Sequence, residues 1–233
     1  MEQLKRLDLV KAAELVRGNA VLQRERNQFY EADCREFVKM IGESLCTKQF
    51  DLDNDNSFVY ENIRKWCDGD PDFLALDPKT SKQIKGDLHK GLYIAGNAGS
   101  GKTLCTQVFA RYANTLGLKV TLRDGTASRL AWKNYYAAQI CEMYAQTGDV
   151  NQLISIPSLC IQDVGSEPAE TLYMGNKKTV IGYLLQMRGE NPDLITVITS
   201  NNRIREDIYG DRVTSRLCAM CNYYELKGKD RRL

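Results

Sequence analysis

Histidine is nearly absent from this chain, with His89 alone among 233 residues. A zinc site would have to be assembled almost wholly from cysteines and carboxylates. Cys218-Ala219-Met220-Cys221 offers one pair at C-x-x-C spacing, but no second pair stands near it, so zinc is not expected. Calcium is not expected either: Asp51, Asp53 and Asp55 are spaced like the start of a calcium loop, without its glycine and closing glutamate. No stretch approaches the ~18 uninterrupted apolar residues of a membrane span, and Met1-Glu2-Gln3-Leu4-Lys5-Arg6 lacks the apolar core of a secretory signal. We expect a cytoplasmic protein with no membrane partner. The net charge is only +2, so any nucleic-acid contact must come from local patches. Internal repeats and low-complexity tracts are also missing.

What is present is ordinary for a globular chain: 43% hydrophobic and 27% charged residues, in a length that accommodates one sizeable domain and a smaller appendage. The eight cysteines fall at scattered apolar positions and do not frame short loops, which reads as reduced, mostly buried thiols.

The most informative segment is Gly96-Asn97-Ala98-Gly99-Ser100-Gly101-Lys102-Thr103, which fits the phosphate-loop pattern G-x-x-x-x-G-K-[ST] at every required position. Residues 91–95 before it form a short apolar run of strand character. After it, Leu104, Val108, Phe109, Tyr112 and Leu116 recur at helical spacing until Gly117 offers a C-cap. The glycines let backbone N–H groups and the helix N-terminus face a β-phosphate. Lys102 adds a point charge toward the β/γ oxygens, and the Thr103 hydroxyl is a ligand for Mg²⁺. ATP with Mg²⁺ is the cofactor this pattern implies.

Around that loop the chain divides near residue 88. Residues 1–87 read as a small, mostly helical partner-binding region and linker. Leu7, Val10, Leu15, Val21, Phe29, Phe37 and Ile41 suggest two helices, a further helix spans 59–66, and 69–90 is linker. Residues 88–233 read as an ATPase core: a second strand at 118–122, a long helix over 127–145, a third strand at 158–164, a helix over 177–188 and a fourth strand at 194–200. Strands alternating with helices argue an α/β fold with a parallel sheet between helices and a ligand at the strands' carboxyl ends. In the short run from Asn201 to Leu233 no sizeable C-terminal lid is expected.

Polar residues at the strand ends then become candidates. Asp163 ends the third strand, where phosphate-loop ATPases hold Mg²⁺ or its waters. Asn201 ends the fourth, either as a turn residue or as an amide orienting water against a γ-phosphate. Arg212 and Arg216 lie four apart, so a helix presents both on one face.

Through the Gly96–Thr103 loop, Ile161-Gln162-Asp163-Val164-Gly165, Thr199-Ser200-Asn201, the segment 209–217 and the closing Gly228-Lys229-Asp230-Arg231-Arg232, residues 88–232 resemble the DnaC/IstB-type AAA+ ATPases. That family includes replicative-helicase loaders and the ATP-dependent helpers of some transposases. The resemblance implies an AAA+ P-loop core, a sensor 1 role for Asn201, an arginine finger at Arg216 ahead of Arg212, and a sensor 2 role for Arg232. It also places a DNA-contacting insertion over residues 123–136, with Arg129, Lys133, Tyr135 and Tyr136.

The chain departs from that family where two adjacent acids are usual. Anchoring on Gly165 aligns Gln162 with the first acid, so an Asp restored at position 162 is expected to raise turnover. Sliding by one makes Asp163 the Mg²⁺-side carboxylate and Val164 the defective position. Either way one acid is missing, which implies slow hydrolysis, with Glu167 near enough in sequence to substitute. Three functions fit: a loader that assembles as an ATP-dependent homo-oligomer on single-stranded DNA and delivers a replicative helicase, a transposition helper of the IstB type, or a small-molecule P-loop kinase.

Overall fold

The computed structural model describes residues 22–46, 50–204, 208–228 and 230. The chain opens with a two-residue strand β1 (Gln23–Arg24), helices α1 (Glu31–Leu45) and α2 (Ser57–Cys67), and short strands β2 (Leu74–Leu76) and β3 (Gln83–Lys85). The expected strand–loop–helix follows as β4 (Gly91–Gly96) and α3 (Lys102–Thr115). Next come β5 (Lys119–Thr121), β6 (Ala127–Arg129), β7 (Lys133–Tyr136), α4 (Ala137–Thr147) and α5 (Asn151–Ile154). The remainder is β8 (Ser158–Val164), β9 (Thr171–Tyr173), β10 (Asn176–Lys178), α6 (Val180–Gly189), β11 (Ile195–Ser200), α7 (Asp211–Met220) and β12 (Cys221–Leu226). Helical positions expected before residue 22 lie outside the described residues.

The main sheet has the order β3-β2-β12-β4-β11-β8-β7. Strands β12, β4, β11, β8 and β7 are parallel, and β2 and β3 extend the sheet antiparallel. Every residue of β11 and all but the last of β4 are buried, as strands covered on both faces require. Because β4 has neighbours reached by crossovers in both directions, the sheet opens a crevice at its carboxyl end, where the phosphate loop begins.

Two expectations fail here. The strand read at 118–122 is not the second parallel strand: β5 pairs antiparallel with β1 and β6 in a separate sheet. The place beside β8 is taken by β7, within the span read as the start of a long helix, and α4 begins only at Ala137. Propensity identifies an extended segment but not its partner, and pairing against Leu159–Gln162 overrides the apolar spacing around Leu130 and Trp132. Likewise α6 starts at Val180, since residues 171–178 form a hairpin whose Met174 and Gly175 both have positive φ, 47° and 84°.

Residues 22–87 build no core of their own. Val38, Ile41, Val59, Ile63 and Trp66 join Leu92, Ile94, Val108 and Phe109 in one apolar cluster on the α3 face of the sheet. The opposite face buries Ile140, Leu184, Leu185, Val213 and Leu217 against Leu159, Ile161 and Ile198. A polar network ties the helices together. Arg64, nearly fully buried, donates to Glu61, Glu31 and Asp68, and Asp68 also accepts from the Tyr112 hydroxyl of α3 at 2.7 Å.

Burial alone would lift the Glu61 carboxyl, but hydrogen bonds from Arg35 and Arg64 outweigh it and hold the pKa at about 2. An unfolded glutamate titrates near ~4.3, so this contribution is complete above that pH and lost as pH falls through the folded value. The stability gap between wild type and Glu61→Gln is therefore expected to be constant above about pH 5 and to close toward pH 2. Urea denaturation of both proteins at several pH values checks this; a gap that persists at pH 2 contradicts the pairing.

The eight cysteines form no disulfide and six are buried. Among the described residues there is no His/Cys/Asp/Glu cluster of metal-site type and no helix long and apolar enough to cross a membrane.

Candidate functional site

The phosphate loop curls because its glycines take conformations closed to other residues. Gly99 and Gly101 have φ of 78° and 93°, and a Cβ at Gly96 would lie 2.4 Å from the Leu226 carbonyl oxygen. Gly101 is the N-cap of α3 and no side chain among the described residues caps that terminus, the arrangement in which a helix presents its first N–H groups to an anion. The Ser100 hydroxyl is buried and has no hydrogen-bond partner among the described residues.

Lys102 is also buried. Its ammonium donates to the carbonyls of Gly96 (2.7 Å) and Asn97 (2.8 Å) and to Asn201 Oδ1 (2.8 Å). The amide at the end of β11 is thus bound to the cation that the loop positions. Ala98, Gly99, Gly101, Lys102, Thr103, Leu104, Tyr136, Asp163, Ser166 and Asn201 together line a cleft of about 550 Å³. Four residues singled out from three separate segments, Lys102, Thr103, Asp163 and Asn201, therefore meet in one place. Phosphate-binding amides, a fixed cation, a hydroxyl and a carboxylate form a donor set suited to a triphosphate with Mg²⁺.

The pair whose register was ambiguous separates cleanly. Asp163 is half-buried and lines the cleft. Gln162 is fully buried and is not among the cleft's lining residues. Its Nε2 donates to Thr106 Oγ1 of α3 at 2.6 Å and to Asn134 Oδ1 of β7 at 3.1 Å, and its Oε1 accepts from the Thr199 hydroxyl at 2.8 Å. The Thr106 hydroxyl donates to Thr103 O at 2.9 Å, so a carboxylate at 162 would meet an oxygen whose proton is already committed. An Asp at 162 is accordingly not expected to raise turnover.

Solved structures similar to this chain include AMPPCP-bound DnaA from Aquifex aeolicus, at TM-score 0.49 and 16% identity over 76% of this chain and 48% of that one. A replication initiator DnaA bound to AMPPCP and single-stranded DNA aligns at TM-score 0.50 and 17% identity, covering 77% of this chain and 49% of that chain. Domain III of the Thermotoga maritima replication initiation protein DnaA aligns at 0.47 and 17%, covering 76% and 64%. The fold is of the AAA+ type. This chain spans about half the length of the first two DnaA chains. No protein-family model matches the sequence, and no curated protein matches it.

Glu167, Arg212 and Arg216 are not among the residues that line the cleft. Glu167 is tied down: its carboxylate accepts the Gly165 N–H at 2.8 Å and the Tyr209 hydroxyl. Arg216 donates to Glu190 Oε1 at 2.6 Å. Arg212, one turn earlier on α7, is exposed and makes no ion pair among the described residues. Arg232 lies outside the described residues. Sequence reasoning passed over Ser166, Thr106 and Thr199. Serine and threonine occur everywhere in a chain; Thr106 sits within one turn of Thr103 on α3, whereas only strand pairing brings Thr199 beside Gln162 and Asp163.

Proposed function

We propose that this chain binds ATP with Mg²⁺ and acts as an ATP-dependent loader of a replicative DNA helicase, assembling on single-stranded DNA and using residues 1–87 to hold its client. The convergence of Lys102, Thr103, Asp163 and Asn201 on one cleft carries the nucleotide part of this reading. The loader part rests on the resemblance of residues 88–232 to DnaC/IstB-type ATPases. The DnaA captured with AMPPCP and single-stranded DNA makes those two ligands the ones to test first.

In this reading the amides of Gly99 to Thr103 hold the phosphates, and Lys102 turns from the loop carbonyls toward them. Thr103 and Asp163 hold the magnesium ion, which supplies charge stabilisation when bound. Asn201 orients a water toward the terminal phosphate, and Arg216 reaches the nucleotide of a neighbouring subunit after leaving Glu190. Because Asp163 is the one carboxylate among the described lining residues, hydrolysis is expected to be slow.

Arg216→Ala is expected to retain single-site ATP affinity but to lose ATP-dependent assembly and DNA-stimulated turnover. Mixed with Lys102→Ala subunits, which keep a sound Arg216, it should regain some hydrolysis at mixed interfaces, as an arginine supplied in trans requires. Light scattering with ATP and single-stranded DNA, together with phosphate release from the mixture, is the test. A wild type that stays monomeric and a mixture no more active than its parts remove the loader reading and favour a phosphotransferase.

A further inference from the structure

The pleat of β8 does not by itself bring Asp163 to the cleft. Along this strand Leu159 and Ile161 face the α4/α6 side, while Cys160 belongs to the cluster on the α3 side. Continued alternation would send position 163 into the first of these apolar layers and position 164 into the second. Instead Val164 packs with Leu159 and Ile161. The pairing of β8 with β11 slips here: Ile161 faces Ile198 and Val164 faces Ser200, so Gln162 and Asp163 together oppose Thr199. Asp163 absorbs the extra residue with φ of 56°, a left-handed conformation rare outside glycine.

A bulge frees a backbone N–H, and here Thr199 takes it up: its hydroxyl oxygen accepts the Asp163 N–H at 2.9 Å. That hydroxyl has one proton, which goes to Gln162 Oε1, leaving its lone pairs for the backbone donor. Gln162 is itself held by Thr106 and Asn134 through its amide nitrogen. Resting on the nucleotide-site reading above, we propose that Gln162 and Thr199 are positioning residues that lock Asp163 in its left-handed bulge and so aim the metal-side carboxylate at the phosphate loop. A glutamine is needed at 162 because the position must accept from Thr199 and donate to Thr106 and Asn134. A carboxylate only accepts.

The test measures binding of a fluorescent ATP analogue to the full chain, in EDTA and across a Mg²⁺ titration. Thr199→Val keeps the side-chain shape and removes the hydroxyl. It should leave EDTA-state affinity within about twofold and raise the Mg²⁺ concentration for half-maximal effect by roughly 10-fold, the usual consequence of losing a group that orients a metal ligand. Thr199→Ser should restore wild-type behaviour. Gln162→Met, similar in shape and without hydrogen bonds, should give the same Mg²⁺ shift, and it carries the test if Thr199→Val does not fold. A wild-type Mg²⁺ dependence in the folded Thr199→Val or Gln162→Met variant overturns the pin, as does an equal loss of affinity in EDTA. A wild type that binds no analogue in either condition sinks the nucleotide site itself.

Discussion

Lys102→Ala is expected to weaken ATP binding by roughly 10²-fold while leaving the chain folded. Charge-assisted hydrogen bonds to an ammonium contribute about 1.5–3 kcal/mol each, and no other cation lines the cleft among the described residues. In this structure that ammonium satisfies two loop carbonyls and Asn201. Its removal leaves three acceptors at the edge of an open cleft, where water can replace the lost donor. The damage should therefore appear in affinity and barely in stability. Titration with a fluorescent ATP analogue, alongside a thermal melt, separates the two. Unchanged affinity in a folded variant removes the loop from the binding site.

The second large effect concerns stability. Arg188, at the end of α6, is fully buried and has no acidic partner among the described residues. Its guanidinium donates to the carbonyls of Leu153, Ile154, Ile156 and Ile195 and to Thr196 Oγ1. Burial pulls its pKa down to about 10, which still leaves it charged at neutral pH. Arg188→Ala would strand four carbonyls and a hydroxyl in a dry interior and open a cavity. Leaving a buried acceptor unpaired costs about 1–3 kcal/mol, so stranding several of them is expected to remove a large share of the ~5–15 kcal/mol that holds a domain folded. Lysine should not rescue it, because a single ammonium cannot present the planar fork that spans α5, the approach to β8 and the start of β11. Urea denaturation of both variants is the measurement, and a loss below about 1 kcal/mol would show that those carbonyls find other partners.

These two residues mark the limits of what the sequence reveals. Lys102 is legible because a phosphate loop is a local object: its glycines, lysine and threonine act within eight consecutive residues, and the flanking periods announce strand and helix. Arg188 looks like any arginine ending a helix. Much of its importance comes from three carbonyls more than thirty residues away, which no local pattern encodes. The exchanged roles of residues 118–122 and 133–136 have the same origin. Both segments are extended, and only pairing with Leu159–Gln162 decides which one joins the parallel sheet.

From the sequence alone, then, come the phosphate loop, the alternation of strands and helices, and the residue types fit to hold Mg²⁺ and a triphosphate. Each depends on composition or short-range spacing, where backbone sterics and side-chain chemistry act directly. The tertiary structure decided which of Gln162 and Asp163 faces the cleft, that Glu167 is committed to Gly165 and Tyr209, and that α1 and α2 share a core with α3. A side chain's direction at a bulge depends on the register of the neighbouring strand. Burial depends on what the rest of the chain lays over it, and both are set by contacts between segments far apart in sequence.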